Sequence, residues 1–339
     1  MQSTSFQRRG PVRQIKGAKR SLYNDSLLIS TGVPGIDSII GGGLPLGTIL
    51  LVEEDETTCY GDVIERYFIA EGVVNQHRVI IADTIEKPSE ILSKLPSIIE
   101  TNTEADVKED KNSKPDLKIA WRYENSQKGG GKFVDRPTRF GNYYDLSETM
   151  DITGELKPNL EAVDFSDVID DDKATTLIER LIKLIETPSE NASRVLIRRF
   201  ARPFWGNLCS IDICKFLLKL RNAIRGKPTS ILLTIPMHIY EDDSNSIRNF
   251  VDFALELNAV RKDKKVAGLA DYHGCLRLRK SRSPYSLHTP QPDTSDWAFK
   301  QRRTKFVVER MHLPPDLGEN ASRGKEESDM VSQKKKLEF

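Results

Sequence analysis

Residues 48–83 read TILLVEEDETTCYGDVIERYFIAEGVVNQHRVIIAD, and this stretch decides the fold. It begins with the apolar run Thr48–Val52 and ends with the apolar run Arg78–Asp83. Between them, from Asp62 to about Asn75, apolar residues recur at three- and four-residue spacing, which predicts a helix that packs one face on a sheet. The order strand, helix, strand predicts a β-α-β unit of an α/β protein.

The turn between that first strand and the helix is where a phosphate-binding loop, G-x-x-x-x-G-K-[ST], would lie. Such a loop surrounds phosphates with backbone N–H groups, neutralises them with its lysine and holds magnesium with its hydroxyl. Here the turn reads Glu53-Glu54-Asp55-Glu56-Thr57-Thr58-Cys59-Tyr60-Gly61, and the lysine position falls near Tyr60. Carboxylates repel a triphosphate. Two interpretations stay open: a nucleotide-binding fold without phosphate-loop chemistry, or an ordinary α/β unit.

A second requirement for an ATPase of this kind is an apolar strand that ends in an acid, which positions magnesium and water. The candidate strand ends Leu196-Ile197-Arg198-Arg199-Phe200, which is basic where an acid is needed. Two losses in one chain argue against autonomous ATP hydrolysis. The sequence therefore predicts no catalytic residue and no cofactor, and an active ATPase with a non-standard nucleotide site is the alternative.

Composition narrows the class of protein. The chain has 339 residues and a formal net charge of +1, which argues against a uniformly basic nucleic-acid coat. No apolar run approaches the ~20 residues that a membrane span needs. The four cysteines form no C-x-x-C pair and the five histidines have no zinc-like spacing, so neither a metal site nor a disulfide framework is predicted. These features predict an intracellular protein, cytoplasmic and with the nucleus as a second compartment.

Strands and helices alternate along the rest of the chain. Helices are predicted over 88–100, 174–186, 210–225 and 247–260, and strands over 117–123, 194–197 and 230–235. This alternation predicts a mainly parallel sheet flanked by helices. Two late stretches, Gly274–Lys280 and Thr304–Arg310, alternate apolar with charged residues and are predicted to be antiparallel edge strands.

The domain organisation follows from composition. Residues 1–25 are predicted to be a disordered basic arm and residues 318–339 a disordered charged tail. One domain is predicted over 26–317, with polar insertions near 101–116 and 124–172.

Basic residues with nearby aromatics follow one central strand and precede the last one. Guanidinium groups bind phosphate and exposed aromatic rings stack on unpaired bases, so these residues are candidates for RNA contact. The candidates are Arg198, Arg199, Arg202, Lys300, Arg302 and Arg303. The alternative is that Phe204 and Trp205 pack in the core and the basic residues form solvated faces. Leu278 and Val307, on the predicted edge strands, are the candidates for a subunit interface.

Several motifs together resemble the PAXNEB family, the family of the fourth Elongator subunit. The first is Ser30-Thr31-Gly32-Val33-Pro34-Gly35-Ile36-Asp37 with Gly41-Gly42-Gly43-Leu44-Pro45-Leu46-Gly47. More specific ones are Ile119-Ala120-Trp121-Arg122-Tyr123-Glu124-Asn125, Asn142-Tyr143-Tyr144-Asp145-Leu146-Ser147, Asp271-Tyr272-His273-Gly274, Ala298-Phe299-Lys300 with Arg302-Arg303, and His312-Leu313-Pro314-Pro315-Asp316. The stretch from Arg198 to Trp205 departs from the family, which has smaller and less basic residues there.

The resemblance implies a RecA-like fold without usable nucleotide motifs. It also implies a hetero-hexameric ring with the fifth and sixth Elongator subunits, joined to catalytic subunits one to three. That assembly modifies wobble uridines of tRNA, and the ring contacts tRNA.

Overall fold

A nine-stranded sheet forms the centre of the computed structural model, which describes residues 14–99, 140–152, 159–163, 173–187, 189, 191–260, 272–284, 286, 292, 294 and 296–311. In spatial order the strands are β14 (Phe306–Arg310), β13 (Trp297–Gln301), β12 (Gly274–Ser281), β11 (Phe253–Ala259), β4 (Ile49–Glu53), β10 (Thr229–Ile235), β9 (Ser193–Ile197), β5 (Arg78–Ala82) and β8 (Asn159–Ala162). From β11 to β8 neighbouring strands are parallel, whereas β12, β13 and β14 are antiparallel to their neighbours. The predicted fold class is confirmed.

Two small sheets, six α-helices and two short 3-10 helices, Pro203–Trp205 and Met237–Tyr240, complete the described part of the chain. One sheet contains β1 (Ala18–Arg20), β2 (Leu27–Ile29) and β3 (Leu44–Pro45), and the other contains β6 (Pro96–Ile98) and β7 (Tyr144–Thr149). The helices are α1 (Pro34–Ile39), α2 (Tyr60–Val74), α3 (Pro88–Leu92), α4 (Lys173–Glu186), α5 (Ser210–Ile224) and α6 (Ser244–Arg248). None of these helices is long and apolar enough to cross a membrane.

The central strand β4 separates two hydrophobic cores. Successive side chains of a strand point to opposite faces, so Leu50 and Val52 join the core that contains α2, whereas Ile49 and Leu51 join the core under α4 and α5. All four residues are fully buried. A strand buried on both faces is a continuous apolar run, as the sequence at 48–52 indicated.

Two predicted helices are wrong over part of their length. The helix predicted over 247–260 is α6 followed by β11, because the apolar residues from Phe253 to Leu257 also fit the two-residue period of a strand. The helix predicted over 88–100 ends at Leu92, and β6 begins at Pro96, a residue that an α-helix interior does not accommodate.

Order extends into two segments that the sequence placed outside regular structure. Within the arm predicted over 1–25, residues 18–20 form β1, which pairs with β2. The insertion near 124–172 contains β7 and the sheet strand β8, neither of which was predicted. The predicted strand 117–123, the motifs at 119–125 and 312–316, the insertion 101–116 and the tail 318–339 lie outside the described residues.

Candidate functional site

The loop between β4 and α2 closes on its own acidic residue. A carboxylate oxygen of Asp55 accepts hydrogen bonds from the backbone N–H of Thr57 at 3.2 Å and from the Thr57 and Thr58 hydroxyls at 2.9 and 3.1 Å. In a phosphate-binding loop such groups face the bound anion. Here an internal carboxylate takes them, which gives the acidic loop a structural role.

Tyr60 stands where the sequence analysis put the phosphate-binding lysine, at the first residue of α2. Its ring packs edge-on against Phe299 of β13, with ring centroids 4.8 Å apart, and against His273, 6.2 Å away. Therefore the side chain at this position joins the aromatic packing of the antiparallel strands.

Arg198, directly after β9, is buried among four carboxylates. Its Nε lies 2.6 Å from Glu65, and its Nη1 lies 2.8 Å from Asp83 and 2.5 Å from Glu86. Its Nη2 lies 3.5 Å from Asp62. Only 4% of the Arg198 side chain is exposed, so its guanidinium is committed to contacts within the chain.

Two further arginines extend these contacts towards the surface. Arg199 binds Asp62 at 2.8 Å, and Arg202 binds Glu54 at 2.7 Å. The three arginines and their five carboxylate partners form what we call the strand-end charge cluster. Its members are Glu54, Asp62, Glu65, Asp83, Glu86, Arg198, Arg199 and Arg202.

The backbone after β9 is strained, and the neighbouring strand holds it in place. Arg199 and Ala201 have φ angles of 49° and 64°, a left-handed conformation that is unfavourable for residues other than glycine. The Arg199 N–H donates to the Thr234 hydroxyl at 2.7 Å, and the Phe200 N–H donates to the Thr234 carbonyl at 2.8 Å. The Thr234 hydroxyl in turn donates to Glu65 at 2.9 Å, which ties the strained turn to α2.

Carboxylates outnumber guanidiniums in the cluster by five to three. Burial raises the pKa of Glu65 to about 7, despite the nearby Arg198. Hydrogen bonds from Lys94 and Arg198 lower the pKa of Glu86 to about 2. The cluster therefore presents no surplus of positive charge to a phosphate.

Three carboxylates of the cluster are close enough together to hold a metal ion. One oxygen from each of Glu54, Asp62 and Glu65 lies within 4.8 Å of the others. Each of these three carboxylates already binds an arginine, so the chain itself supplies positive charge at this position.

The other three RNA-binding candidates lie around the turn between β13 and β14. Arg302 and Arg303 are exposed in this turn, where the Arg302 N–H donates to the Lys305 carbonyl at 2.8 Å. Lys300 lies 4.1 Å from the centre of the Tyr272 ring and 2.9 Å from Glu309. Because β13 runs in the same direction as β4, this turn and the strand-end charge cluster lie on the same edge of the sheet. The RNA-binding role of all six residues stays a prediction.

The two interface candidates occupy different positions in the sheet. Val307 is half-buried in β14, the last strand of the sheet, and lines an apolar cavity of about 250 Å³ between β14 and α1. Leu278 is half-buried in β12, pairs with Leu255 and packs against the core that contains α2. Their role in an interface also stays a prediction.

The comparisons with known proteins identify the family. The family model described as PAXNEB protein matches residues 11–339. The chain belongs to the PAXNEB family. Elongator complex protein 4 of Mus musculus is 31% identical over 400 residues, covering 99% of this chain and 94% of that protein. Elongator complex protein 4 of Danio rerio is 33% identical over 362 residues, covering 95% of this chain and 90% of that protein.

A solved structure is also similar to this PAXNEB chain. It is a KaiC-like protein from the hyperthermophilic archaeon Pyrococcus horikoshii, with a TM-score of 0.44 and 15% identity. The match covers 84% of this chain and 99% of that one.

The carboxylate partners of the arginines in this PAXNEB protein were not predicted from the sequence. The acidic turn at 53–61 and the basic stretch at 198–202 lie far apart along the chain, although both follow parallel strands. The carboxyl ends of parallel strands share one edge of a sheet, so opposite charges at those ends were a usable signal. Asp83, directly after β5, gave the same signal. Phe204 and Trp205 were alternatively predicted to pack in the core. Trp205 is buried there, whereas Phe204 is 56% exposed.

Proposed function

We propose that this chain is a non-catalytic subunit of the Elongator complex. The observation that carries the proposal is the strand-end charge cluster, because it fills the edge where a nucleotide-binding protein of this topology holds phosphate and magnesium. Arg198 stands in place of the magnesium-positioning acid, and Tyr60 stands in place of the lysine. The likeness to Elongator complex protein 4 over almost the whole chain supports the choice of complex.

Within that complex, we propose that the chain is one subunit of a RecA-like hetero-hexameric ring with subunits five and six. The ring serves catalytic subunits one to three, which modify wobble uridines of tRNA. The half-buried Val307 on the end strand β14 supports this proposal, since it leaves part of an apolar side chain accessible to a neighbouring subunit.

We propose that the ring binds tRNA phosphates chiefly through the turn between β13 and β14. Arg302 and Arg303 are exposed there, and Lys300 lies at the end of β13. Arg198, Arg199 and Arg202 act at the same edge by holding the acidic loop and α2 in place. A phosphate contact by Arg202, whose side chain is 35% exposed, would require it to share its charge with Glu54.

Two measurements on the native protein test this function. Tagged chain should co-purify with Elongator proteins in an assembly whose mass exceeds that of a monomer. Mg-ATP at millimolar concentration should leave the thermal unfolding of the protein unchanged, because we expect no nucleotide to bind. A nucleotide that did bind, at a hundred times its Kd, would stabilise the fold by about 2.7 kcal/mol.

A monomer that recovers no Elongator protein would refute the proposal. Steady ATP turnover that disappears on substitution of Tyr60 or Gly61 would instead favour the active ATPase.

A further inference from the structure

The turn between β1 and β2 carries two large apolar side chains into solvent. Leu22 is 98% exposed and Tyr23 is 86% exposed, whereas the next most exposed large apolar residue in the described part of the chain is Ile211, at 63%. Single exposed apolar residues are ordinary on protein surfaces. Two consecutive ones at the apex of a hairpin are a compact apolar protrusion, and we call them the hairpin tip.

Hydrogen bonds hold the hairpin tip in one conformation. The Ser21 N–H donates to the Ser26 carbonyl at 2.8 Å, and the Asn24 side-chain oxygen accepts from the Ser26 N–H and hydroxyl at 3.2 and 2.7 Å. Asp25 has a φ of 56° and binds Arg20 at 2.5 Å across the turn. A turn fixed in this way loses little conformational entropy when it binds a partner.

The base of the hairpin is anchored to the domain, with the tip projecting from it. Ile15 is buried, and a ring nitrogen of His77 lies 2.7 Å from the Lys16 carbonyl. The Leu46 N–H donates to the Leu27 carbonyl at 3.0 Å, and Gly47, next in the chain, bonds to the first residue of β10. The hairpin therefore belongs to the amino edge of the parallel strands, opposite the strand-end charge cluster.

The charges beside the tip define the partner. Lys16, just before the hairpin, and Lys19 and Arg20 on it are exposed. Arg20 pairs with Asp25, the acidic residue among 14–26, so Lys16 and Lys19 give this segment its excess positive charge. A partner surface that covers the tip needs an apolar centre for the two side chains and carboxylates at its rim.

A second copy of this chain does not offer that surface. Its apolar cavity of about 250 Å³ between α1 and β14 is lined by Tyr67, Phe306 and Val307, but the charged residue in its lining is Lys305, so a homotypic contact there would bring cations together. A larger cavity of about 510 Å³ beside the acidic loop has carboxylates, among them Glu54 and Glu256, but its lining is predominantly polar and lacks the apolar centre.

We propose that the hairpin tip inserts into an apolar pocket with an acidic rim on a different subunit of the same complex. This inference rests on the proposed function. It places an intersubunit contact at the amino edge of the sheet, away from both β14 and the predicted RNA-binding turn.

Photo-cross-linking tests the contact in the native assembly. Tyr23 is replaced with p-benzoylphenylalanine in the full chain, co-expressed with Elongator subunits five and six, and the same replacement at Leu218 on α5, 44% exposed, is the control. A cross-link from position 23 to a residue of another subunit, in a pocket with carboxylates at its rim, is expected. An intact assembly without that cross-link, or a cross-link to a second copy, would overturn this inference and leave the proposed function standing. Failure of the wild-type chain to assemble would overturn both.

A double substitution measures the strength of the contact. L22S/Y23S should weaken assembly at least tenfold, since buried tyrosines are frequent hot spots, whereas L218S should leave it unchanged. Both variants should unfold at the wild-type temperature because the replaced side chains are exposed. If L22S/Y23S assembled as tightly as the wild-type chain, the proposal would be overturned.

Discussion

The guanidinium of Arg198 and the carboxylate of Glu65 meet at 2.6 Å with 4% and 1% of their side chains exposed. The pair lies between two elements, the strained turn after β9 and the middle of α2. It thereby fixes the helix that follows the acidic loop to the strand that would carry the magnesium-positioning acid in an ATPase.

Removal of the Arg198 charge should destabilise the fold strongly. Arg198→Met leaves four carboxylates without their shared partner, and the loss of one partner of a buried ion pair costs about 3–5 kcal/mol. Arg202→Gln, at a partly exposed pair, should cost less than about 1 kcal/mol. Urea unfolding of both variants measures the difference. Equal stabilities would show that the buried contacts of Arg198 contribute no more than the partly exposed pair of Arg202.

The stability of the fold should depend on pH through His77. Burial, with the charge of Arg194, lowers the pKa of His77 to about 3, and its Nδ1 accepts a hydrogen bond from Arg194 at 3.0 Å. The unfolded chain protonates this histidine near pH 6.5, whereas the folded chain does so only near pH 3. Stability from His77 is therefore present above about pH 6.5 and is lost as the pH falls towards 3. His77→Gln should reduce the loss of unfolding free energy between pH 7 and pH 5, and an identical loss in both proteins would contradict this.

Two glycines should respond to alanine in opposite directions. A Cβ atom on Gly35 would lie 2.2 Å from the Val308 carbonyl, so Gly35→Ala must push α1 from β14, at a cost of about 1–3 kcal/mol. A Cβ atom on Gly61 would meet only Glu54, at 3.9 Å, and Gly61 lies inside α2. Gly61→Ala should therefore stabilise the protein by up to about 1 kcal/mol. Thermal unfolding distinguishes the two, and a destabilised Gly61→Ala would indicate that the loop is tightly packed.

Arg302 and Arg303 should carry salt-dependent tRNA binding by the assembled ring. Each phosphate contact contributes about 0.7–0.9 to the slope of log affinity against log salt, so Arg302→Gln with Arg303→Gln should flatten it by roughly 1.4–1.8. Arg277→Gln is the matched control, because the Arg277 side chain is 59% exposed on β12. Binding measured over a series of KCl concentrations gives both slopes. If the slope of log affinity against log salt were unchanged in an intact ring, this turn would not contact RNA phosphates.

Val307→Asp should disrupt assembly more selectively than Leu278→Asp. Val307 is half-buried on the last strand of the sheet and lines the cavity beside α1, so a carboxylate there keeps contact with solvent and should cost the isolated chain less than one against the core. Leu278 packs against the core, and its replacement should also lower the stability of the isolated chain. Sedimentation with thermal unfolding measures both effects. Full assembly by Val307→Asp would place the interface elsewhere.

The sequence correctly predicted the elements whose burial produces an apolar pattern that fits only a strand or only a helix. The continuous apolar run at 230–235 became β10, and the strong three- and four-residue spacing at 174–186 became α4. It failed at 253–259, where a strand buried on both faces also fits a helical spacing, and at β8, whose mixed composition shows no strand pattern. The charged site failed for a different reason. Whether Arg198 faces solvent or carboxylates depends on which strands become neighbours. That order, in which β10 lies between β4 and β9, is established only in the folded sheet.

The position of β4 also governs when the protein can fold during synthesis. Both of its neighbours, β10 and β11, lie about 180 residues or more further along the chain. At roughly 5–20 residues per second, translation leaves this apolar strand without a partner for about 10–35 s. The nascent chain therefore exposes this apolar strand during that interval, and we expect the emerging protein to need ribosome-associated chaperones.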